Sequence, residues 1–419
     1  MSRGSGLATI ALVILLSGPG HAQRAGQLQP AIRIEPTELS GLAVEIEDDG
    51  GRAMRSFHDA LARTARQTPD ALTRIAHYGD SNIATDMITH TVRRQLQTRF
   101  GDGGHGFVLI ARAGMPYLHR DVLHEASDGW EPRSIVRAME STGLYGYGGV
   151  QFRARIGATA TFATDSRGPV GGRVARFEVF YQEHPQGGRI EASIDAAAPI
   201  VIDTAGSLGN GFHALDTTDG PHTLRLRASG HGQVRLYGVA MERSTGVVYD
   251  SLGLVGARAR RLLRYNAEHL AAQVNHRNPD LLILGFGGNE ADDGPGAIGR
   301  YENEFAQVID HVRGGRRSMA CLVVAPMDQA RRDEQGDPEG LATVPLIVEA
   351  QRRAARRSGC AFFDTLRAMG GPGAIIRWAR GRPPLAVPDY RHATPVGYEQ
   401  IGNFLYQAML KSFADYTNR

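Results

Sequence analysis

Lysine is almost absent from this chain: among 47 basic residues only Lys411 is a lysine, and the rest are arginine. That scarcity argues against a phosphate-binding lysine loop, a Schiff-base lysine and a Ser–Lys dyad. Cysteine is nearly as rare. Cys321 and Cys360 are the two present, no C-x-x-C or H-E-x-x-H spacing occurs, and no metal site or disulfide scaffold is indicated. A formal charge of +3 over 419 residues leaves no electrostatic footprint for nucleic acid. After the first sixteen residues no apolar run reaches membrane-spanning length. What is present is an ordinary globular balance, 42% hydrophobic and 22% charged, with 52 glycines that imply many tight turns.

The N-terminus, MSRGSGLATIALVILLSGPGHAQ, combines a basic start at Arg3, an apolar run from Leu7 to Leu16 and small residues up to Ala22. The run is too short to span a bilayer comfortably and predicts a signal peptide over 1–22, with a short membrane anchor as the alternative. The mature protein is then expected in the periplasm or outside the cell, with no membrane span. Residues 23–72 read as an irregular arm followed by a helix over 52–68, with Met54, Phe57, Leu61 and Ala65 on one face. A strand at Arg74–Tyr78 leads into a helix beginning at Ser81 and ending near Gly101.

Over 126–243 the pattern changes to alternating apolar residues, as in RVARFEVFYQE and HTLRLRA, separated by Gly, Asn, Asp and Pro clusters. This predicts an antiparallel β-sandwich or jelly roll. From about 244 to the end, strand–helix alternation returns: VVYDSL, LLILGF, CLVVAP and CAFF each precede a helical stretch, the first at about Ala257–Val274. One strand–helix unit over 73–125 cannot bury its own apolar face. It is therefore expected to join the later units in one parallel sheet, with the β module inserted between. Cys321 and Cys360 each open an apolar run, which leaves a bond between neighbouring strands and a pair of buried thiols equally open.

Four short stretches then fall at strand ends: GDSN at 79–82, GLVGA at 253–257, GGNE at 287–290, and DYRHAT at 389–394 ahead of the last helix. In an open parallel sheet such loops converge on one edge. Together they hold what acyl transfer requires. Ser81 is a nucleophile if a base adjoins it, His392 is the candidate base, and Asp389 is placed to orient the imidazole. The backbone N–H groups of Ser81 and Gly256 and the side-chain amide of Asn289 are candidate donors to an oxyanion. Ser81 could instead be a helix cap, Asn289 a turn former and Gly256 a helix-start glycine.

In order, these four blocks resemble those of the SGNH (GDSL-type) hydrolases, over residues 73–110 and 246–414, with D-x-x-H-x-T the most specific. The resemblance implies a flavodoxin-like α/β fold of three layers, esterase or carbohydrate deacetylase activity, and no metal or organic cofactor. A serine block split from the rest by a β-rich insert looks like the bacterial peptidoglycan O-acetylesterases, whose insert resembles a carbohydrate-binding module. FGDGGHGFV at 100–108 also looks like the segment after their serine block. Asn82 and Glu290 depart from the family pattern. The resemblance thus implies an exported serine esterase that takes acetyl or another short acyl group from a glycan or small ester. An O-acetyltransferase on the same site and an inactive glycan-binding protein are the alternatives. GPGAIG at 294–299 fits a dinucleotide fingerprint only formally, because it carries Pro295 and does not follow its strand directly. The insert aromatics Trp130, Phe177, Phe180, Tyr181 and Tyr237 read as core before they read as sugar platforms.

Overall fold

The computed structural model describes Met1, residues 34–114 and residues 117–418. The signal-peptide expectation over 1–22 falls outside the described residues, apart from Met1. Among the described residues no helix is long and apolar enough to cross a membrane.

The first helix, α1 (Arg55–Ala65), is shorter than the 52–68 that periodicity predicts. Before it, the Asp48 carboxylate accepts from the N–H groups of Ala53 and Met54. After it, Gln67 turns left-handed at φ +53°. Strand β1 (Leu72–Gly79) leads to α2 (Ser81–Ala84) and α3 (Met87–Phe100). The single helix expected from Ser81 is therefore two. The break is at Asp86, whose φ is +53° and whose carboxylate accepts two N–H bonds from the Arg93 guanidinium at 3.0 and 2.9 Å.

The middle of the chain is all β: β2 (Gly104–Leu109), β3 (Val122–Ala126), β4 (Trp130–Ser134), β5 (Val150–Ala154), β6 (Thr159–Thr164), β7 (Val174–Glu183), β8 (Arg189–Ile194), β9 (Ile200–Asp203), β10 (Gly209–Gly220), β11 (Thr223–Ser229) and β12 (Arg235–Glu242). They form two antiparallel sheets, β10-β7-β12-β5-β4 with β2 beside β12, and β3-β6-β11-β8-β9. Trp130, Phe177, Phe180, Tyr181 and Tyr237 are all buried in this module, so they pack its core rather than face a ligand.

Strand–helix alternation then resumes with β13 (Gly246–Gly253), α4 (Ala267–Arg277), β14 (Leu281–Gly285), α5 (Ile298–Arg313), β15 (Ala320–Val324), the hairpin β16 (Ala330–Arg332) and β17 (Pro338–Gly340), α6 (Thr343–Arg357) and β18 (Ala361–Phe363). Two short helices, α7 (Thr365–Ala368) and α8 (Ala374–Arg380), and the long α9 (Pro395–Thr417) complete the chain. The helix expected over 257–274 divides into a 3-10 segment, Ala259–Arg264, and α4, because Asn266 caps α4 by accepting from His269 N–H.

The parallel sheet runs β13-β1-β14-β15-β18. Counted by its own strands this is 2-1-3-4-5, the flavodoxin-like order, and the antiparallel sheets are inserted between its first and second strands. Alternate residues face opposite layers. Ile75, Ile283 and Leu322 pack with α1, α3 and α9, whereas Tyr78, Leu284 and Val323 share a core with α4 to α6 and with the inserted sheets. Each fully buried side chain of this size contributes about 1.5–3 kcal/mol. Cys321 and Cys360, on neighbouring strand starts, are joined as a disulfide.

Candidate active site

The edge where β1, β13 and β14 end carries three of the four motif stretches. Gly79 closes β1 in space no other residue could fill, since a Cβ there would come within 2.3 Å of Ile83 and 2.8 Å of the Gly285 carbonyl. Asp80 then caps α2: its Oδ1 accepts from the Asn82 N–H at 2.9 Å and from Asn82 Nδ2 at 3.0 Å. This cap leaves Ser81 as the first helical residue, with its hydroxyl unused by the helix. Ser81 Oγ lies 3.2 Å from His392 Nε2. Burial pushes the Asp80 carboxyl up to about 6, against the Asn82 hydrogen bonds and the attraction of His392. Asn82, a departure from the family pattern, accepts from the Tyr398 hydroxyl at 2.8 Å and so ties the serine turn to α9.

The D-x-x-H-x-T stretch folds as a turn with a separate task for each named residue. Asp389 Oδ1 accepts from the backbone N–H groups of Arg391 and His392 at 2.8 and 3.0 Å. Its Oδ2 lies 2.7 Å from His392 Nδ1, which directs Nε2 toward Ser81. Tyr390 takes the left-handed position of the turn at φ +56°. Thr394 caps α9 by accepting from Gly397 N–H, with Pro395 at the first helical position. Burial raises the Asp389 carboxyl, but the hydrogen bonds from His392, Arg391 and the imidazole outweigh it and hold the group below its ordinary value. Asp389 and His392 are roughly half exposed, so the pair opens onto solvent.

The candidate donors follow the ends of β13 and β14. Leu254 N–H bonds to the Gly79 carbonyl, which sets the 253–257 turn beside the serine. Gly256 has φ +73° and open space where a Cβ would stand, so its backbone conformation, not crowding, is what calls for glycine. Neither Ser81 N–H nor Gly256 N–H has an acceptor among the described residues. Asn289 Nδ2 donates one hydrogen to the Ala257 carbonyl at 2.8 Å, which fixes the amide against the same turn and leaves its second hydrogen available. Glu290 turns inward instead: it is buried, accepts from Ala259 N–H at 2.8 Å, and is pushed up to about 7 by burial.

Ser81, Gly256 and Asn289 thus follow the ends of β1, β13 and β14, Asp389 and His392 lie on the turn ahead of α9, and the serine, imidazole and carboxylate form an unbroken chain of contacts. Such a chain can activate a hydroxyl, and an edge with unspent N–H donors can hold an oxyanion. Among the described residues no group of three His, Cys, Asp or Glu is arranged to hold a metal ion. Three features were not foreseen. Asp80 as the cap had a local signal, an Asp just ahead of a helix start. The Asn82–Tyr398 bond and the bidentate Arg391–Asp292 pair beside the histidine join residues far apart in sequence and had none.

Residues 204–400 match the GDSL-like lipase/acylhydrolase family, a stretch that contains Gly256, Asn289, Asp389 and His392 but not Ser81. No curated protein sequence matches the chain. A solved peptidoglycan O-acetylesterase is 21% identical and superposes with a TM-score of 0.71, covering 86% of this chain and 96% of that one. A family two carbohydrate esterase with a carbohydrate-binding domain from Corynascus thermopiles (Myceliophthora fergusii) is 12% identical, covering 67% of this chain and 99% of its own, with a TM-score of 0.28.

Proposed function

From the premise that this chain is an esterase of the SGNH (GDSL-like) hydrolases, we propose that it removes acetyl groups from a carbohydrate, with O-acetylated peptidoglycan as the substrate. Ser81 Oγ attacks the ester carbonyl while His392 Nε2 takes its proton, and Asp389 stabilises the imidazolium that forms. The oxyanion rests on Ser81 N–H, Gly256 N–H and the free hydrogen of Asn289. The sugar alkoxide leaves with the proton from His392, and water repeats the sequence on the acetyl-serine. The observation that carries this reading is the pair of contacts at His392, 3.2 Å to Ser81 and 2.7 Å to Asp389.

The substrate assignment draws on the fold shared with the peptidoglycan O-acetylesterase, which includes the inserted β sheets. Export draws on the first 22 residues and is supported by the Cys321–Cys360 bond, a feature of oxidising compartments. Acetate release from O-acetylated peptidoglycan and from acetylated xylan, by wild type and by Ser81→Ala, tests the reading. The mutant should lose on the order of 10⁴-fold or more in kcat. Equal release by the mutant would remove Ser81 as nucleophile. Release from xylan alone would remove the cell-wall substrate and leave the mechanism intact.

A further inference from the structure

Gly256 is fixed by its neighbours rather than by contacts of its own. Its N–H has no acceptor among the described residues, and a Cβ on it would meet nothing within 4 Å, so nothing crowds it into place. Upstream, Leu254 N–H bonds to the Gly79 carbonyl at 3.0 Å. Downstream, three successive residues are held by the segment 289–293. The Ala257 carbonyl accepts from Asn289 Nδ2 at 2.8 Å, Arg258 pairs with Asp293, and Ala259 N–H donates to Glu290 Oε1 at 2.8 Å. The segment is itself anchored. The Thr343 hydroxyl donates to the Ala291 carbonyl at 2.6 Å, and Asp292 accepts from both terminal nitrogens of Arg391, next to His392, at 3.0 and 2.7 Å.

Glu290 is the attachment that folding alone explains least. The Arg258–Asp293 pair is partly exposed and contributes little. Glu290 is 6% exposed, and its Oε2 has no hydrogen-bond partner among the described residues. Arg258, which attracts it, is engaged by Asp293, and burial pushes the carboxyl up to about 7. Burying an acid in this way is costly, and one oxygen would suffice to cap the 3-10 segment Ala259–Arg264. What the glutamyl side chain adds is reach. Asn289 grips the chain one residue beyond Gly256, and Glu290 grips it three residues beyond.

We propose that Glu290 is a positioning residue for the oxyanion site: through Ala259 N–H it keeps the 256–259 turn where Gly256 N–H meets the charge developing on the ester oxygen. The inference rests on the serine-esterase reading. Hydrolysis of 4-nitrophenyl acetate and inhibition by 1,1,1-trifluoroacetone, both measured on the whole protein, test it. Ser81 Oγ adds to the ketone carbonyl, its proton passes to His392, and the carbonyl oxygen becomes a stable analogue of the oxyanion. Glu290→Met fills the space but accepts nothing. It should lower kcat/KM by about 10- to 100-fold, at or below the cost of losing a donor outright. The ketone should bind more weakly by a similar factor, since it samples the same charge. Glu290→Gln keeps an oxygen for Ala259 N–H and should stay within about 5-fold of wild type on both measures. Glu290→Asp keeps the carboxyl but is one methylene shorter, and should fall between them, which preserves the comparison if Glu290→Met does not fold. A lowered Tm in Glu290→Met or Glu290→Asp, with kcat/KM per folded molecule and ketone affinity unchanged, would make Glu290 only a cap and overturn the proposal. Equal losses in Glu290→Gln and the other variants would overturn it too, because the acceptor would not be the cause. A wild type that neither cleaves the ester nor binds the ketone would instead remove the esterase reading itself.

Discussion

At the scale of single residues, the serine turn depends on a carboxylate kept where a charge is costly. Asp80 is 3% exposed, and its carboxyl titrates at about 6 in the folded chain against 3.8 ordinarily. Between roughly pH 4 and 6 the folded state therefore binds more protons than the unfolded state. Stability from this group falls as pH rises through that window and stays reduced above it. Asparagine at this position can still accept from the Asn82 N–H groups through Oδ1 while carrying no charge. Asp80→Asn should accordingly raise Tm at pH 7.5, by the equivalent of about 3 kcal/mol at most, and leave it unchanged at pH 3.5. A melting series over pH checks this, and an equal gain at both ends would mean that burial of the charge is not the cause. Sequence showed Ser81, Asp389 and His392 because each sits in a short motif at a strand or helix end. It did not show Asp80, since the motif drew attention to the serine and the cap lay one residue earlier.

At the scale of elements, the strands and most helices of the parallel sheet were legible because each buries a continuous apolar run or a clean helical stripe. The breaks were not. Ile83, Met87, Val92 and Leu96 keep helical spacing straight through Asp86, so periodicity had no reason to stop there. The stop comes from tertiary structure. Asp86 is fully buried and accepts from both Arg93 nitrogens, the Thr89 hydroxyl and the Arg120 N–H, an arrangement possible only once the 117–121 segment folds over α3. Burial would raise this carboxyl, but Arg93 beside it, with His119, holds it well below the carboxylate range. The ion pair thus aims α2, and with it Ser81, away from the axis of α3. Removing one partner leaves a buried charge unpaired, a loss of about 3–5 kcal/mol. Arg93→Met should show that loss in urea unfolding, with kcat falling because the serine turn is no longer fixed. If stability drops and kcat per folded molecule is unchanged, the pair is structural only.

At the scale of the whole molecule, the inserted sheets do not hang from the hydrolase layer as a separate body. Tyr78, Leu252 and Leu284 of the parallel sheet belong to the same buried cluster as Phe107, Phe180 and Tyr237 of the module. The junction also holds a buried ionic network. Arg277 of α4 meets Asp250 at 2.8 Å and pairs with Glu242, Arg74 joins the same Glu242, and Asp250 accepts from Phe107 N–H and the Tyr147 hydroxyl. Composition and alternation separated a β region from an α/β region, yet neither carries information about how tightly two regions dock. Apolar surface continuous across the junction must be exposed on both sides if either region unfolds alone. That surface and the unpaired Arg277 charge together make partial unfolding unfavourable. Unfolding should therefore be a single transition, with calorimetric and van't Hoff enthalpies equal, although many chains of this length melt in stages. Arg277→Met leaves Asp250 and Glu242 facing each other with fewer cations and should split the transition or broaden it. Two resolved transitions in the wild type would instead mean that the module folds on its own and that the apolar surface it shares with the parallel sheet does not couple the two.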